Sequence, residues 1–565
     1  MTEVRRFVVA TTGDPSGLLT DLAERARLQV ASTADVERTF LDTPDGRLDA
    51  AGVVLELRRP LDGGASPTLV WTEDGRTVAS APLTHAEPPR FADDLPNWPA
   101  VDRLAALLDV RALVPGPAVR SRLTTLALLD GEEKTTARVV VDTSVLTDGT
   151  HLPTAIELHE LRGYGREAEK LQKRLVSRLA LERDDATAAA RARAAAGAAP
   201  FLRGKLRISL PDGITAADAY RVVLRALTDV MTDNFAGTIA DIDSEFLHDF
   251  RVAVRRTRSV LKEGKGVVPP ETLAEFRDGF KWLGDVTTPQ RDADVQLLDL
   301  PELAATLPPE RRDALGPLRE LLVEHQAACH AQLVAELRSL RRAELGRDWA
   351  DFLQGDGPWP ADDGGPIGSD TPDALRPAIA VAAHRIAKAR KRLVRDGSAV
   401  DEHSPPQSLH ELRKDAKRLR YLLETFGSLF PADDVATAVK PLKALQDTLG
   451  RYQDTHVQAQ TLAEMGDRLA ERGAPAATLL ALGGVIEHVD LRGERARDEF
   501  AERFATFAGD KVAKAYRRLS EDAAAAERRA RGAAGRDTDE RIDDDDDEDE
   551  LDEGDELDGD DEDGS

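Results

Sequence analysis

The first part of the chain alternates between apolar and polar residues over short distances. Segments such as GVVLELRR (52–59) and ARVVVDT (137–143) carry β-branched residues or a period of two. Asp-Gly pairs separate several of these segments, and this dipeptide is typical of tight hairpin turns. The pattern predicts an antiparallel sheet or barrel over residues 1–182, with helices near 98–108 and 166–181.

A period of 3.6 residues replaces this pattern from about residue 215 onward. Long segments rich in Ala, Leu, Arg and Glu continue to about residue 533, broken by Pro-Pro pairs and by a Gly/Pro/Asp-rich stretch. The Ala-rich segment before them has no apolar face and is expected to be a linker or a solvated helix. The sequence therefore predicts a multidomain α+β chain with four parts: a β domain (1–182), a linker (183–209), an all-α domain (210–525) and an acidic tail (526–565).

Charge is distributed very unevenly along the 565 residues. The net charge is −27, of which residues 537–565 supply −19 through 20 Asp and Glu and one Arg, so residues 1–536 carry only −8. Such a run repels itself and is expected to be disordered. One cysteine, a charged N-terminal sequence and the lack of a long apolar stretch predict a cytoplasmic protein without a membrane partner.

The helical part contains an internal repeat that presents basic residues. LHDFRVAVRRTRSVL (247–261) is similar to LHELRKDAKRLRYLL (409–423), and KWLGDVTTPQRDADV (281–295) is more loosely similar to DTLGRYQDTHV (447–457). The repeat predicts two similar helical halves. Three helices place basic residues three and four positions apart, which puts each set on one helix face. These sets are His248, Arg251, Arg255, Arg258 and Lys262; His410, Arg413, Lys417 and Arg420; and Arg385, Lys388, Arg392 and Arg395.

On the first of these helices the basic row runs beside an apolar stripe of Leu247, Val254 and Leu261, so such a row is expected to line a groove or channel between helices. Like charges at this spacing cost a few tenths of a kcal/mol per pair in an isolated helix. Three such rows favour a polyanionic ligand, because Lys and Arg contact phosphate oxygens well. Ion pairs with neighbouring helices, or a solvated face, are the alternative interpretation.

The repeated H-x-x-R-x-x-x-R-x-x-R pattern, together with the LG…RDADV segment, resembles the CHAD domain, the histidine-marked α-helical domain. The resemblance covers about residues 210–520. It implies a bundle of two pseudo-symmetric halves that binds inorganic polyphosphate through a basic central channel. The residues it implies as contacts are His248, Arg251, Arg255, Arg258, His410, Arg413, Lys417 and Arg420, with the helix of Arg385, Lys388 and Arg392 as an addition.

The N-terminal part resembles the CYTH, or triphosphate-tunnel, domain. FLDTPDGRLDAAGVVLELRR (40–59) is similar to that family's longest motif, and VRSRL (119–123), ARVVVD (137–142) and IELHELRG (156–163) add shorter matches. The resemblance implies a closed tunnel of eight antiparallel strands. In active members, carboxylates hold a divalent metal, Mg²⁺ or Mn²⁺, and basic residues hold a triphosphate.

Several positions depart from the CYTH pattern. The opening E-x-E-x-K reads TEVRR, Glu56 replaces the first Arg of L-R-x-R, and His159 replaces a late carboxylate. The residues that the resemblance still implies for the tunnel are Arg58, Arg120 and Arg122 for phosphate and Glu157 and Glu3 for metal. Because Mg²⁺ depends on carboxylates, these losses predict a degenerate tunnel.

Three functions are compatible with these patterns. The first is polyphosphate binding, with association with polyphosphate granules as an extension. The second is a metal-dependent inorganic triphosphatase that the CHAD domain targets to polyphosphate. The third, a nucleic-acid binder, is disfavoured by the −8 charge of residues 1–536 and an aromatic content of 4%. The acidic tail is a further candidate partner that competes for the basic channel.

Overall fold

The computed structural model describes residues 4–9, 15–63, 66–83, 87–179, 181–202, 208–354, 371–401 and 403–533. The chain divides into two compact units, Met1–Gly204 and Lys205–Ser565. The first contains an antiparallel sheet and the second is helical, which confirms the predicted fold class.

The first unit is built on one nine-stranded antiparallel sheet. Its strands pair in the order β5-β4-β3-β2-β6-β7-β8-β1-β9. The strands are β1 (Val4–Val9), β2 (Gln29–Asp42), β3 (Val53–Pro60), β4 (Thr68–Glu73), β5 (Arg76–Pro82), β6 (Val114–Leu129), β7 (Thr135–Leu146), β8 (Ala155–Glu160) and β9 (Leu181–Arg183). The helices of this unit are α1 (Pro15–Ala26), α2 (Arg47–Ala50), α3 (Val101–Leu108), α4 (Gly165–Leu179) and α5 (Ala188–Ala195).

Alternation along the strands gives the sheet an apolar face and a polar face. On β3, Val53 and Leu55 join a core with α2 and α3, while Val54 between them points the other way. On β7 and β8 the apolar positions pack against α1 and α4. Helices α1 to α4 therefore cover the outer face, and the polar positions lie on the concave face, where α5 also packs.

The sheet curls until its two ends approach each other. Gly75, in the turn between β4 and β5, has a φ of +78°, and a Cβ there would lie 2.8 Å from Arg6 Nη2 and 2.9 Å from Val4 Cγ1 of β1. Both the φ angle and the close approach require glycine at this position. The predicted count of eight strands is wrong by one, because a ninth strand, β9, pairs with β1 at the boundary of the predicted β domain.

The segment predicted as a linker, 183–209, instead belongs largely to the first unit, which extends to Gly204. It contributes the end of β9 and helix α5, whose N-terminus is capped by the Thr187 side chain. Ala192 is fully buried against Phe40 and Val119, so α5 is not a solvated helix. Its alanines are small enough for the helix to pack closely against the strands, so it is buried without a stripe of large apolar residues.

The second unit contains two successions of helices in the same order. The helices are α6 (Ala216–Ala240), α7 (Ser244–Lys262), α8 (Pro270–Ala305), α9 (Pro309–Arg312), α10 (Gly316–Leu337), α11 (Leu340–Gln354), α12 (Ala378–Ser398), α13 (Pro406–Phe426), α14 (Ala432–Glu471), α15 (Ala476–Ala508) and α16 (Asp510–Ala533). Helices α6, α7, α8 and α10 have counterparts in α12, α13, α14 and α15. One large apolar core joins both halves.

The last helix, α16, continues to Ala533, past the predicted domain boundary at residue 525. Its Tyr516 and Leu519 are buried in the main core, and Glu527, beyond the predicted boundary, pairs with Arg376. The rest of the predicted tail, 534–565, lies outside the described residues. None of the helices in the described ranges combines the length and apolar character needed to cross a bilayer.

Candidate functional site

A buried arginine occupies the centre of the concave face of the first unit. Arg38 of β2 is 6% exposed, and its Nε donates to Glu56 of β3 while its Nη1 donates to Asp142 of β7, each at 2.6 Å. Burial by itself would lower the pKa of Arg38, but the two carboxylates raise it above its ordinary value. Ser144 donates to Asp142, and Ser121 and Ser144 lie 2.7 Å apart between their oxygens. The cation is therefore fully paired.

Two further arginines on this face also have carboxylate partners. Arg58 Nε donates to Glu56 at 2.8 Å, and Arg6 Nε donates to Glu157 at 3.3 Å. His159 Nε2 lies 3.3 Å from the same Glu157. Burial opposes ionisation of Glu157, yet contacts with His159 and Arg6 hold its pKa below the ordinary value.

The ligands predicted for a divalent metal do not form a site in the described part of the chain. Glu157 lies on the concave face but binds Arg6 and His159, and Glu3 lies outside the described residues. No group of three or more His, Cys, Asp or Glu side chains among the described residues is arranged to hold a metal ion. The carboxylates of this face form ion pairs with arginines, so the residues present do not fit Mg²⁺ or Mn²⁺.

Arg120 and Arg122, predicted as tunnel residues with Arg58, point away from the concave face. Ser121 between them is buried on that face, and alternation places its neighbours on the outer one. The side chain of Arg122 is 64% exposed and pairs with Asp35 at 2.8 Å. Polar residues of a half-buried strand face solvent by default, so the predicted orientation is wrong.

In the helical unit, the first basic row lies between α7 and α8. Arg251 is 6% exposed, and its Nη1 donates to Thr287 and Thr288 at 2.9 Å and to the Gly284 carbonyl at 3.2 Å. His248, Arg255 and Arg258 are half-buried on the same face, and Lys262 is exposed at the end of the helix. A Cβ on Gly284 would lie 2.8 Å from Arg258 Nη1, so glycine lets the guanidinium approach α8 closely.

The second row lies between α13 and α14 in the corresponding way. Arg413 is 4% exposed and donates to Asp454 at 2.8 Å. Arg420 donates to Glu424 at 2.6 Å and to Gln446 at 3.3 Å. Lys417 is buried between them and His410 is half-buried. Burial lowers the pKa of His410, and the charge of Lys414 adds to the effect.

Two reciprocal ion pairs join the helices that carry these rows. Arg256 of α7 pairs with Glu424 of α13 at 3.1 Å, and Arg418 of α13 pairs with Glu263, the residue that follows α7. Arg256 and Arg418 occupy equivalent positions of the repeat. Because residue numbers rise along one helix as they fall along the other, α7 and α13 are antiparallel.

This antiparallel crossing brings the two rows into one arrangement. A two-fold axis that exchanges antiparallel helices is perpendicular to their common plane, so both rows lie on the same side. Arg258 and Arg420 lie at the crossing, and His248 and His410 lie at the far ends. We call this set the basic track: His248, Arg251, Arg255, Arg258, Arg420, Lys417, Arg413 and His410. Each row extends roughly 15 Å at 1.5 Å per residue.

The third predicted row, on α12, does not extend the track. Arg385 donates to the Tyr220 hydroxyl and to the carbonyls of Glu263 and Lys265, which ties α12 to the end of α7. Arg392 pairs with Asp415, two residues from Arg413 and therefore on nearly the opposite side of α13. Lys388 is exposed. Arg385 and Arg392 thus link α12 to both helices of the crossing, and Arg392 does so on the side of α13 opposite the track.

Sequence reasoning missed the residues that decide the character of both units. Arg38 and Asp142 lie two strands apart in the sheet order, so their contact appears only after the strands are paired. The position of Arg38, two residues before Phe40 on the same strand face, was the available signal. Arg256 and Arg418 were visible as equivalent members of the repeat, but no acidic residue nearby in sequence identified their partners.

Residues 222–463 match the family model of the CHAD domain. The helical unit therefore contains a CHAD domain. The match spans both α7 and α13, and hence the whole basic track. Two uncharacterized proteins from two strains of Mycobacterium tuberculosis are each 29% identical to this chain over 223 residues. The alignment covers 39% of this chain and 40% of each relative, so less than half of these curated relatives is spanned.

Solved structures give further likenesses. The CHAD domain from the plant Ricinus communis is 24% identical, with a TM-score of 0.40, and the alignment covers 56% of this chain and 96% of that one. PptA from Streptomyces chartreusis is 18% identical, with a TM-score of 0.38 and coverages of 51% and 99%. HpAC1 from Hippeastrum, described as having a dominant triphosphatase activity, is 13% identical, with a TM-score of 0.26 and coverages of 35% and 97%. At these TM-scores the likenesses carry no argument about activity.

Proposed function

We propose that the CHAD domain binds inorganic polyphosphate along the basic track. The observation that carries this proposal is the antiparallel crossing of α7 and α13. Together with the symmetry of the repeat, this crossing supports an arrangement in which both basic rows lie on one side of the helix pair. A linear polyanion with closely spaced charges matches such an extended array. Arginine offers two-pronged contacts to phosphate oxygens, and lysine and protonated histidine add point charges.

Internal carboxylates make binding an exchange of partners. Arg413 pairs with Asp454 and Arg420 with Glu424, so a bound phosphate chain competes with both acids. A single phosphate replaces one pair at little net gain, because its new contact is offset by the carboxylate contact that it displaces. A long chain makes many contacts at once, and its affinity therefore increases with length.

For the first unit we propose a structural or weak phosphate-binding role in place of triphosphate hydrolysis. Three arginines of the concave face, Arg6, Arg38 and Arg58, are paired with three carboxylates. A triphosphate that binds this face has to displace those carboxylates, and the three arginines and three carboxylates together offer it no net positive charge. Glu56 is central, because it pairs with Arg38 and Arg58 at a position where the CYTH pattern has arginine.

Binding is tested with a double variant, Arg255→Gln with Arg258→Gln, in the full chain. We expect affinity for polyphosphate of defined length to fall by roughly tenfold or more, the equivalent of one charge-assisted contact. The matched control is Arg120→Gln with Arg122→Gln, which removes the same charge from the outer face of the sheet. Circular dichroism checks folding. Equal affinities in both variants, with folding intact, would refute the track as the binding site.

Hydrolysis is tested with inorganic tripolyphosphate and Mg²⁺ or Mn²⁺, with phosphate release measured beside Glu157→Ala. We expect no release above the background of a protein-free sample. Metal-dependent release that disappears in Glu157→Ala would show an active tunnel and overturn the proposal for the first unit. Polyphosphate binding by the same preparation shows that the helical unit is folded, and circular dichroism checks the strands of the first unit.

A further inference from the structure

The C-terminal segment 537–565 and the basic track have opposite charges within one chain. The segment carries 20 Asp and Glu and one Arg, whereas the track consists of Arg, Lys and His. We propose that this acidic segment occupies the basic track when polyphosphate is absent and is displaced by it. This inference rests on the proposed function of the track and assigns its regulation.

The helix that leads to the acidic segment is anchored close to the crossing. Glu527, in the last turns of α16, pairs with Arg376 at 3.1 Å, and Arg376 pairs with Asp373 at 2.7 Å. The Asp373 amide donates to the Gly266 carbonyl at 2.8 Å, just after the end of α7. A short series of contacts therefore connects the root of the segment to the end of α7 that lies at the crossing.

Exposed cations lie at that end of α7. Lys262 continues the spacing of the α7 row and is exposed, and Lys265, three residues on, is also exposed. The Lys265 carbonyl accepts from Arg385 at 2.8 Å, which fixes this loop beside α12. These two lysines give the acidic segment a first contact between its root and the track.

Length permits the contact. A chain of 29 residues spans up to about 100 Å when fully extended, whereas each row of the track extends roughly 15 Å. Attachment to the same molecule gives the segment an effective concentration on the order of 1 mM at the track. Carboxylates spread along the segment bind less strongly than densely spaced phosphates, so polyphosphate displaces them.

Three proteins test the proposal: the full chain, a variant ending at Ala533, and a full-length variant with every Asp and Glu of 537–565 changed to Asn and Gln. We expect the second and third to bind polyphosphate more tightly than the first at low salt. The expected ratio of the two polyphosphate affinities follows from how tightly a separate 537–565 peptide binds the shortened variant. It equals one plus the effective concentration of about 1 mM divided by the dissociation constant of that peptide, so a dissociation constant of about 0.1 mM gives roughly a tenfold difference. High salt should remove most of the difference.

Peptide binding is measured directly by anisotropy of the labelled peptide on the shortened variant. We expect Lys262→Gln with Lys265→Gln to weaken it, and Lys134→Gln, an exposed lysine of the β6–β7 turn, to leave it unchanged. Equal polyphosphate affinity in the three proteins, or no peptide binding, would overturn this inference while leaving the proposed function intact. Failure of all three proteins to bind polyphosphate would instead overturn the proposed function. The peptide measurement would then still show whether the acidic segment binds the track.

Discussion

Asp294 of α8 is an acid held inside the helical unit by neutral partners. It is 7% exposed, and its Oδ1 accepts from Gln290 at 2.8 Å and from Gln326 of α10 at 3.1 Å. Burial, reinforced by the charge of Asp241, raises its pKa to about 6, against the opposing effects of Gln326 and Arg291. The protonated form is therefore favoured in the folded state more than in the unfolded chain.

This raised pKa predicts a pH-dependent stability. Relative to the unfolded chain at its ordinary pKa of 3.8, the favourable contribution of Asp294 is complete below pH 3.8 and is lost as the pH rises through about 6. Asp294→Asn keeps the Oδ1 acceptor without the charge. We expect it to be more stable than the natural protein at pH 8 by about 2–3 kcal/mol, with little difference near pH 4.

Urea unfolding at the two pH values measures this difference. Asp278→Asn, an exposed position of the same helix, is the control and should not change the pH dependence. The prediction would be contradicted if the unfolding free energy of Asp294→Asn fell between pH 4 and pH 8 by the same amount as that of the natural protein.

Individual side chains also show why part of the site was not predictable. In VRSRL both alternations are plausible for a strand, since Val119, Ser121 and Leu123 form one face and two arginines form the other. The sequence of a single strand does not reveal which face is concave. Glu56 was recognised as a departure from the CYTH pattern, but its pairing with Arg38 needed the register of β2 and β3.

At the scale of elements, the α13–α14 interface depends on a buried ion pair. Asp454→Asn removes the carboxylate that faces the buried Arg413. We expect a loss of about 2 kcal/mol of unfolding free energy, because the arginine keeps its charge without its partner. Polyphosphate should restore more stability in this variant than in the natural protein, since its phosphates replace the missing charge.

Thermal unfolding with and without polyphosphate measures both effects. Asp433→Asn, at the exposed beginning of α14, is the control. A smaller thermal shift with polyphosphate in Asp454→Asn than in the natural protein would argue against contact between the ligand and Arg413.

Long helices of the second unit were predictable because each has many turns of consistent periodicity. Short elements were not: α1 was missed within a region interpreted as strands, although Leu18, Leu22 and Ala26 have helical spacing and Leu22 is fully buried. At α5 the sequence predicts a linker or a solvated helix, because alanine contributes little to an apolar stripe. Its burial depends on the strands it covers, which are distant in sequence.

At the scale of the whole molecule, charge is separated between the track and the rest of the chain. The net charge of residues 1–536 is −8 although the track itself is basic, so the rest of this region is net acidic. Such a charge opposes a large polyanion more than the thin, linear one proposed for the track. Only 4% of residues are aromatic, which leaves few surfaces for stacking bases. These features favour inorganic polyphosphate over nucleic acid as a ligand.

Competition tests this preference. We expect unlabelled polyphosphate to displace labelled polyphosphate at a concentration roughly tenfold or more below that of single-stranded DNA of equal charge, because DNA carries fewer charges per unit length and its bases lack stacking partners. The experiment is repeated at two salt concentrations, with heparin as a control polyanion. More efficient displacement by DNA would favour the nucleic-acid alternative.

The reciprocal pairs of Arg256 with Glu424 and Arg418 with Glu263 have an evolutionary consequence. In a homodimer of identical half-length chains every contact across the axis is made twice. These helices retain equivalent arginines in the two pairs, whereas the partners Glu424 and Glu263 are one position out of correspondence in the repeat. Duplication and fusion would free each copy to diverge. Arg251 now donates to Thr288, whereas Arg413 donates to Asp454, the residue that likewise lies four positions after the glycine of its half. No dimer of identical chains could maintain that difference, so fusion gives the basic track two distinguishable ends.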